Sequence, residues 1–259
     1  MLENGLSPAL ITTNLKTRFI GQRVVYYPRL TSTMDVAKRK AQRGAVEGTI
    51  IVAEEQTGGR GRMKRVWLSP KGNISLSVIL YPSVDYLTSL IMLASISVVH
   101  SIRAVTDLEA QVKWPNDVLV NNKKVAGILI ESDVRGGKVD HAIIGIGINV
   151  NLRFADFSDI LPDATSLYNE LGREVSRLDL TRQLLIEIEG LYLALLSGES
   201  IFEEWRDSLV TLGRRVHVRW GETIYEGIAE SVAKDGSLFL RHSDGSLARI
   251  MAGDVTLRD

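Results

Sequence analysis

The apolar residues of this 259-residue chain recur with two different periods, and each period predicts a different kind of element. Short apolar runs are typical of strands, and they lie at 22–27, 49–54, 73–80, 118–121, 125–131 and 141–150. Longer runs with helical spacing predict helices over 33–43, 86–105 and 179–209. Ser32 or Thr33 can cap the first of these helices, and Gly44 can end it.

Turn residues join most of the predicted strands as hairpins. The residues Asn122-Lys-Lys separate two strands, and Gly136-Gly137 precedes the last one. After Gly213 the chain changes to short strands, with turns at Gly221, Asp235-Gly236 and Asp244-Gly245. Because hairpins outnumber βαβ crossovers, the pattern predicts an α+β fold with a mixed β-sheet flanked by helices. The predicted parts are an N-terminal extension or remnant linker (1–21), a main domain (22–212) and a small C-terminal β-barrel (213–259).

Composition narrows the class of protein. Lys+Arg and Asp+Glu both number 31 and the hydrophobic share is 45%, which is ordinary for a soluble globular chain. The absence of cysteine excludes disulfides, thiolate metal sites and a cysteine nucleophile, and it fits a cytoplasmic protein. The first residues lack the pattern of a signal peptide, and the apolar stretch around 90–99 is shorter than a membrane span. The four histidines are scattered without the spacing of zinc ligands.

Four cations within six residues stand out against this neutral background, at Arg60, Arg62, Lys64 and Arg65. Glycines around them let backbone N–H groups approach a ligand closely, so the cluster indicates a site for a phosphate or an acyl phosphate. A solvated turn is the alternative for such a loop taken alone. The segment is not a P-loop, because no Gly-Lys-Ser/Thr follows it.

Three further segments carry candidate chemistry. In Lys113-Trp-Pro-Asn-Asp117, Pro115 favours an extended Trp114, and Asn116-Asp117 favours a turn. Lys113 is predicted to end a strand just before that turn, where it could reach a phosphate or a carboxylate. A surface lysine beside a buried Trp is the alternative. Gly127, inside Lys124-Val-Ala-Gly-Ile-Leu-Ile-Glu131, marks a bulge or the close approach of a ligand. The run Gly145-Ile-Gly-Ile-Asn149 lacks the third glycine of a dinucleotide fingerprint. Its Asn149 could pair with an adenine edge or begin a turn.

Together and in this order, these motifs resemble those of the biotin protein ligase family. The resemblance rests on Gly59-Arg-Gly-Arg62 with Trp67, Ser69-Pro70, Lys113-Trp-Pro-Asn-Asp117, Ala126-Gly-Ile-Leu-Ile-Glu131 and Gly145-Ile-Gly-Ile-Asn149. It covers roughly residues 20–150. The C-terminal segment, ending Gly253-Asp-Val-Thr-Leu-Arg258, is similar to the SH3-like domain of the same family.

The resemblance implies a two-step ligase. Biotin and ATP, with Mg²⁺, would give biotinyl-5′-AMP, and the biotinyl group would then pass to a lysine of a biotin carboxyl carrier protein. The catalytic residues that it implies are Lys113, which would carry the first half-reaction, Arg60 and Arg62. The implied biotin-binding residues are Ser32, Thr33, Gln56, Gly59, Arg60, Arg62, Trp67, Lys113 and Gly127. The implied contacts of ATP and the adenylate are Arg60, Arg62, Arg65, Trp67, Lys113 and Asn149, and no metal ligands are assigned.

The chain departs from the family pattern at Met34, where Asn often follows Ser-Thr, and within Met63-Lys64 of the basic loop. About twenty residues precede Gln22, too few for the winged helix-turn-helix of bifunctional members. We therefore expect a monofunctional ligase with no nucleic-acid or membrane partner, and a homodimer as in related proteins. A lipoate–protein ligase and a non-catalytic nucleic-acid-binding protein are the alternatives. The motifs at Arg60 and Lys113 argue against the first, and zero net charge argues against the second.

Overall fold

A computed structural model describes residues 5–153 and 163–258 of the chain, without the side chains of Lys64 and Arg258. The helices are α1 (Pro8–Thr12), α2 (Thr33–Ala41), α3 (Ser89–Thr106), α4 (Leu167–Leu171), α5 (Arg177–Leu196) and α6 (Phe202–Asp207). The first seven strands are β1 (Val24–Tyr27), β2 (Ile50–Ala53), β3 (Ile74–Leu80), β4 (Ala110–Lys113), β5 (Asp117–Val120), β6 (Lys123–Arg135) and β7 (Lys138–Ile148). The last five are β8 (Arg215–Trp220), β9 (Thr223–Val232), β10 (Leu238–Arg241), β11 (Leu247–Ile250) and β12 (Asp254–Arg258).

The first seven strands form one mixed sheet in the order β1-β2-β3-β7-β6-β5-β4. Only β1 and β2, which α2 connects, are parallel, and every other neighbouring pair is antiparallel. The turns between β5 and β6 and between β6 and β7 contain Asn121-Asn122 and Gly136-Gly137, all with positive φ. The predicted α+β fold with a mixed sheet is therefore confirmed.

The two faces of this sheet are covered to different extents. One face, with Leu76, Ile128 and Ile146, belongs to the main core that also contains buried residues of α3 and α5. On the opposite face, α2 covers a smaller apolar cluster that includes Ile51 and Ile143. The strands extend beyond α2 on this second face, and a cavity lies there. The fold therefore leaves one end of the sheet accessible to a ligand.

The long helix α3 shows why hydropathy alone is a weak guide here. With 18 residues, this helix is long and apolar enough to cross a membrane. The apolar segment is therefore longer than the stretch around 90–99 that the sequence indicated. Most of its apolar side chains, including Leu93 and Ile96, are fully or almost fully buried in the main core. The polar residues Ser97 and Ser101 donate to the carbonyls one turn earlier, at 2.9 and 2.6 Å. We read α3 as a core helix.

The C-terminal strands form a separate antiparallel sheet in the order β11-β10-β9-β8-β12. It is attached to the main domain through Trp114, whose indole N–H donates to the carbonyl of Gly236 at 2.8 Å. The sequence predicted an extended Trp114 and a turn at Asn116-Asp117. In the structure the turn spans 114–116, with a cis Trp114–Pro115 peptide, and Asp117 already begins β5.

The N-terminal segment, predicted as an extension or remnant linker, packs onto the main domain. Leu6 and Ile11 are almost fully buried in the main core. The carboxylate of Glu189 in α5 accepts from the backbone N–H groups of Phe19 and Ile20, both at 2.9 Å. These contacts fix the path of the chain immediately before β1.

Candidate active site

Three residues of the cavity floor, Gly147, Gly127 and Asp117, belong to a row that crosses the sheet at one level. The strand register pairs Ser75 with Gly147, Gly147 with Gly127, Gly127 with Asp117, and Asp117 with Lys113. Directly paired residues share one face of a sheet, so all five belong to the face that carries the cavity. The two glycines leave the middle of the row without side chains. The enclosed space has a volume of about 260 Å³, enough for one small organic molecule.

Side chains from elsewhere occupy the space above the glycines. A Cβ atom at Gly147 would lie 2.4 Å from Nε1 of Trp67, and one at Gly127 would lie 3.2 Å from the same indole. Gly145, one step further along β7, would bring its Cβ atom to 2.4 Å from Sδ of Met34. The glycines are therefore needed because Trp67 and Met34 lie directly on the strand backbone.

One end of the cavity carries a network of neutral hydrogen-bonding groups. Oε1 of Gln56 accepts from the backbone N–H and the hydroxyl of Thr33 at 2.8 and 3.1 Å. Nε2 of Gln56 donates to the hydroxyl of Ser69 at 2.9 Å, and Ser69 lies 2.7 Å from the hydroxyl of Ser75. Ser77 donates to Thr33 at 2.8 Å. Such a set offers both donors and acceptors without charge, which suits a neutral polar ligand.

The basic loop lies across the cavity, and its three described arginines have different partners. The guanidinium of Arg60 bonds to Asp35 of α2 and, at 3.0 Å, to Glu131 of β6. Burial alone lowers the pKa of Arg60, but the hydrogen bonds and charges of these two carboxylates outweigh burial and raise it. Arg65 forms an ion pair with Asp254 of the C-terminal sheet at 2.5 Å. The loop is thereby tied to both sheets.

Arg62 is the arginine of the loop that contacts neutral oxygens. It donates to Oδ1 of Asn116 at 3.2 Å and to the carbonyl of Gly253 at 3.3 Å. Burial lowers the pKa of Arg62, and the charges of Asp254 and Asp117 only partly oppose this. An arginine remains protonated even so, because its ordinary pKa is far above neutral pH. Its partly desolvated charge would gain from an anionic ligand.

Lys124 supplies a further cation to the cavity through a β-bulge. The register between β5 and β6 shifts at Val118/Leu119, so that Leu119 pairs with Lys124 while Val118 pairs with Ala126. The shift turns Lys124 onto the same face as Gly127, although the two are three residues apart. Its ammonium lies 2.6 Å from Oδ1 of Asp117 and 5.3 Å from the centre of the Trp67 ring.

Most of the residues predicted from the sequence meet at this cavity. Those that line it are Ser32, Thr33, Gln56, Arg60, Arg62, Arg65, Trp67, Gly127 and Asn149. Gly59 lies behind them, where a Cβ atom would be 2.4 Å from the carbonyl oxygen of Trp67. Asn149 is buried and donates to the carbonyl of Thr165 at 3.1 Å.

Lys113 differs from the other predicted residues. It is not among the residues that line the cavity, and its ammonium lies 3.9 Å from Oδ2 of Asp117. It belongs to β4, the outermost strand, two strands and therefore about 10 Å from Gly127. The carboxylate of Asp117 lies between Lys113 and Lys124. The catalytic role of Lys113 stays a prediction.

Several residues of the cavity were missed by the sequence reasoning. They include Lys124, Asp117, Asn116, Met34 as a wall of the site, and Asp254 of the C-terminal sheet. Lys124 stands immediately before the run that contains Gly127, but a strict alternation of faces would have turned it away from that glycine. Asp254 is far away in sequence, and the local pattern around it carries no signal for the cavity.

Comparison with known protein families identifies both parts of the chain. Residues 26–149 match the biotin/lipoate A/B protein ligase family. Residues 211–258 match the biotin protein ligase C-terminal domain. The first match begins within β1 and covers the other six strands of the main sheet and the cavity floor up to Asn149, and the second covers the C-terminal sheet.

Individual proteins are similar over almost the whole chain. The bifunctional ligase/repressor BirA of Bacillus subtilis is 36% identical in an alignment of 258 residues that covers 97% of this chain and 79% of that protein. The biotin–[acetyl-CoA-carboxylase] ligase of Mycobacterium tuberculosis is 30% identical and covers 96% of both chains. The biotin protein ligase of Aquifex aeolicus in complex with biotin and ATP has a TM-score of 0.75 at 29% identity, covering 92% of this chain and 99% of that one.

Proposed function

The chain belongs to the biotin protein ligase family, and we infer that it activates biotin with ATP and transfers it to a lysine of a biotin carboxyl carrier protein. Solved relatives were crystallised with biotin and ATP, and with biotinyl-5-AMP in the case of the enzyme from Leishmania major. The relative from Mycobacterium tuberculosis is named for its action on acetyl-CoA carboxylase, which supports a biotin-carrying carboxylase as the partner.

The observation that carries this function is the difference between the two ends of the cavity. Biotin has a neutral ureido ring at one end and a carboxylate at the other. The network around Gln56 and Thr33 matches the ring, since it can both donate and accept. Lys124 and Arg62 match the carboxylate, and Trp67 and Gly127 suit the apolar middle.

In the first half-reaction a carboxylate oxygen of biotin attacks the α-phosphorus of ATP. A P–O bond forms, the bond to the bridging oxygen breaks, and pyrophosphate leaves with that electron pair. Two anions have to approach each other, so cations at the meeting point lower the barrier. Lys124 and Arg62 are the cavity cations that the geometry favours for this task. The sequence-based prediction assigns the same task to Lys113.

In the second half-reaction an uncharged lysine amine of the carrier attacks the carbonyl carbon of the mixed anhydride. An amide forms, the C–O bond to the phosphate breaks, and AMP leaves while the amine loses its proton. Until the carrier arrives, the anhydride has to be kept from water. The basic loop lies across the cavity and is held there by the bonds of Arg60 to Asp35 and Glu131, which supports a protective role.

We propose that Mg²⁺ enters with the phosphates of ATP. Within residues 5–153 and 163–258 no group of three His, Asp or Glu side chains is arranged to hold a metal ion. Mg²⁺ commonly keeps several waters and binds through substrate phosphates with one or two carboxylates, so the residues present fit that mode. Asp117 and Asp254 are the carboxylates at the cavity, and the ion would there offset the charge of the departing pyrophosphate.

A lipoate–protein ligase is the second candidate, because the matching family includes such enzymes. The dithiolane ring of lipoate makes no strong hydrogen bonds, and it would leave the polar groups around Gln56 without a ligand partner. We therefore expect ATP–pyrophosphate exchange with biotin and little with lipoate. Lipoate-dependent exchange that a large excess of biotin does not suppress would reverse the assignment.

We also propose that the enzyme is a cytoplasmic homodimer that does not bind DNA. The cysteine-free composition supports the location. The strand β1 forms one edge of the seven-stranded sheet and could pair with a second copy, which supports the dimer. The balance of 31 cations and 31 anions gives no support for DNA binding. A monomer in light scattering at micromolar concentration would refute the dimer.

A further inference from the structure

Met34 occupies a particular position at the neutral end of the cavity. It lies in the first turn of α2, only 4% of its surface is exposed, and it lines the cavity next to Thr33. Its sulfur fills the space that a side chain at residue 145 would need, because a Cβ atom on Gly145 would lie 2.4 Å from Sδ. Gly145 is paired with Ser77 on one side and Leu129 on the other, so Met34 covers the middle of a second row across the sheet.

Met34 and Trp67 are neighbours on the same strand surface. The space above Gly147 is filled by Trp67, and the space above Gly145 is filled by Met34. Residues two apart on a strand face the same side of the sheet and are separated by about 7 Å. Both side chains also line the cavity. Met34 and Trp67 therefore form neighbouring parts of its apolar surface.

The chemistry of the cavity decides which part of a ligand reaches these walls. This step rests on the proposed function. If the carboxylate of biotin is bound at Lys124 and Arg62, the ring system has to lie at the other end, beside Thr33 and Gln56. Met34 is adjacent to Thr33 in the chain and belongs to that same end. The ring of biotin would then have its polar ureido edge at Gln56 and an apolar surface against Met34.

We propose that Met34 is a specificity-determining residue that packs against the bicyclic ring of biotin, beside Trp67. A thioether offers a flexible apolar contact and no strong hydrogen bond. Selection at this wall therefore depends on shape and on the exclusion of polar groups. Desthiobiotin lacks the ring sulfur and leaves part of the wall without contact. Biotin sulfone carries two additional oxygens on that sulfur. Met34 leaves no space for these oxygens and offers them no hydrogen-bond donor.

The test compares substrates rather than absolute rates. ATP–pyrophosphate exchange gives kcat/KM for biotin, desthiobiotin and biotin sulfone, and the two ratios to biotin are the readout. In Met34→Ala we expect the preference for biotin over the sulfone to fall about tenfold, because one lost apolar contact changes discrimination by at least that factor. The preference over desthiobiotin should fall as well, through a raised KM for biotin with kcat little changed.

Met63→Ala is the matched control. It makes the same chemical change on the basic loop, at a side chain that is 49% exposed and does not line the cavity. Both ratios should remain those of the wild type. If Met34→Ala also keeps the wild-type ratios, Met34 does not touch the ring and the proposal is wrong. Wild-type protein that shows no exchange with biotin would instead refute the proposed function.

Loss of packing could keep Met34→Ala from folding, since Met34 belongs to the buried cluster under α2. Met34→Leu then decides the question, because it keeps the volume but replaces a flexible wall by a branched, stiffer one. We expect its desthiobiotin ratio to differ from the wild type by about threefold or more. An unchanged ratio in a protein with a normal melting temperature would overturn the proposal.

Discussion

Two lysines flank Asp117, and separating their roles tests the reading of the whole site. Lys124 lies 2.6 Å from one carboxylate oxygen of Asp117 and lines the cavity. Lys113 lies 3.9 Å from the other oxygen and does not line the cavity. The perturbation is the pair of variants Lys124→Met and Lys113→Met. Methionine removes the charge but retains most of the aliphatic chain, so packing against Trp67 is preserved in the first variant.

The expected effects follow from distance. At an effective dielectric constant of about 20, a unit charge about 4 Å from a reacting oxygen contributes about 4 kcal/mol, and one twice as far contributes about half of that. Loss of one well-placed group of this kind typically costs on the order of 10²–10³ in rate. We therefore expect Lys124→Met to lower pyrophosphate exchange by that factor. Lys113→Met should lower it about thirtyfold or less, because Lys113 lies in the outermost strand and a charge at twice the distance contributes about 2 kcal/mol.

The assay is biotin-dependent ATP–pyrophosphate exchange, with melting temperatures to confirm that both variants fold. Transfer from externally supplied biotinyl-AMP serves as the internal comparison, because the cation that assists adenylation is less important once the anhydride exists. A loss in Lys113→Met that equals or exceeds the loss in Lys124→Met would refute the geometric argument. The prediction made from the sequence would then be the correct one.

Three other predictions test the floor, the loop and the helical layer. Gly147→Ala should lower exchange on the order of 10²-fold, because its Cβ atom would displace the indole of Trp67. Gly190→Ala is the control and should leave activity unchanged, because a Cβ atom there would have no neighbouring atom within 4 Å. Trypsin should cut the basic loop severalfold more slowly with biotin and ATP than without them, because a loop that a ligand orders is protected from proteolysis. Equal cleavage rates would count against the role of the loop as a cover over the cavity. The hydrogen bond that His100 donates to the carboxylate of Glu187 raises the pKa of His100 above its ordinary value of 6.5. The ion pairs of His100 therefore stabilise the fold at low pH, and this contribution is lost as pH rises through the folded-state pKa. Urea unfolding near pH 6 and pH 9 should show a smaller pH-dependent change in the free energy of unfolding for His100→Gln than for the wild type. The difference should be less than about 1 kcal/mol, because the side chain of His100 is partly exposed. An unchanged pH dependence would contradict the assignment.

The sequence allowed the central elements to be predicted because local and tertiary preferences agree there. Strands β2, β3 and β7 are almost entirely buried, so their apolar runs are continuous and easily recognised. The prediction of one helix over 179–209 was wrong in one respect. The segment is divided into α5 and α6, and Gly198 lies between them with positive φ. The short helices α1 and α4 were not predicted. Each has five residues, too few for a periodic pattern.

The candidate site was predictable where one motif supplies both residue type and position. Gly127 could be recognised as a site of close approach, but the indole of Trp67 that approaches it could not, since Trp67 comes from a distant segment. The role of Gly145 and Gly147, which Met34 and Trp67 cover, was not predicted. Lys124 was missed because a bulge overrides the alternation of faces on which strand reasoning depends.

The density of cations in the basic loop is therefore a poor measure of how many act on a ligand. Arg60 is held between two carboxylates, so its charge is largely balanced and its clearest effect is to fix the loop over the sheet. Arg65 performs a similar task toward the C-terminal sheet through Asp254. Arg62 contacts only neutral oxygens in its described hydrogen bonds, so of the described arginines of the loop it has the most to gain from an arriving anion. A chain with no net charge can thus present a cationic site, because burial and pairing decide which of its charges remain effective.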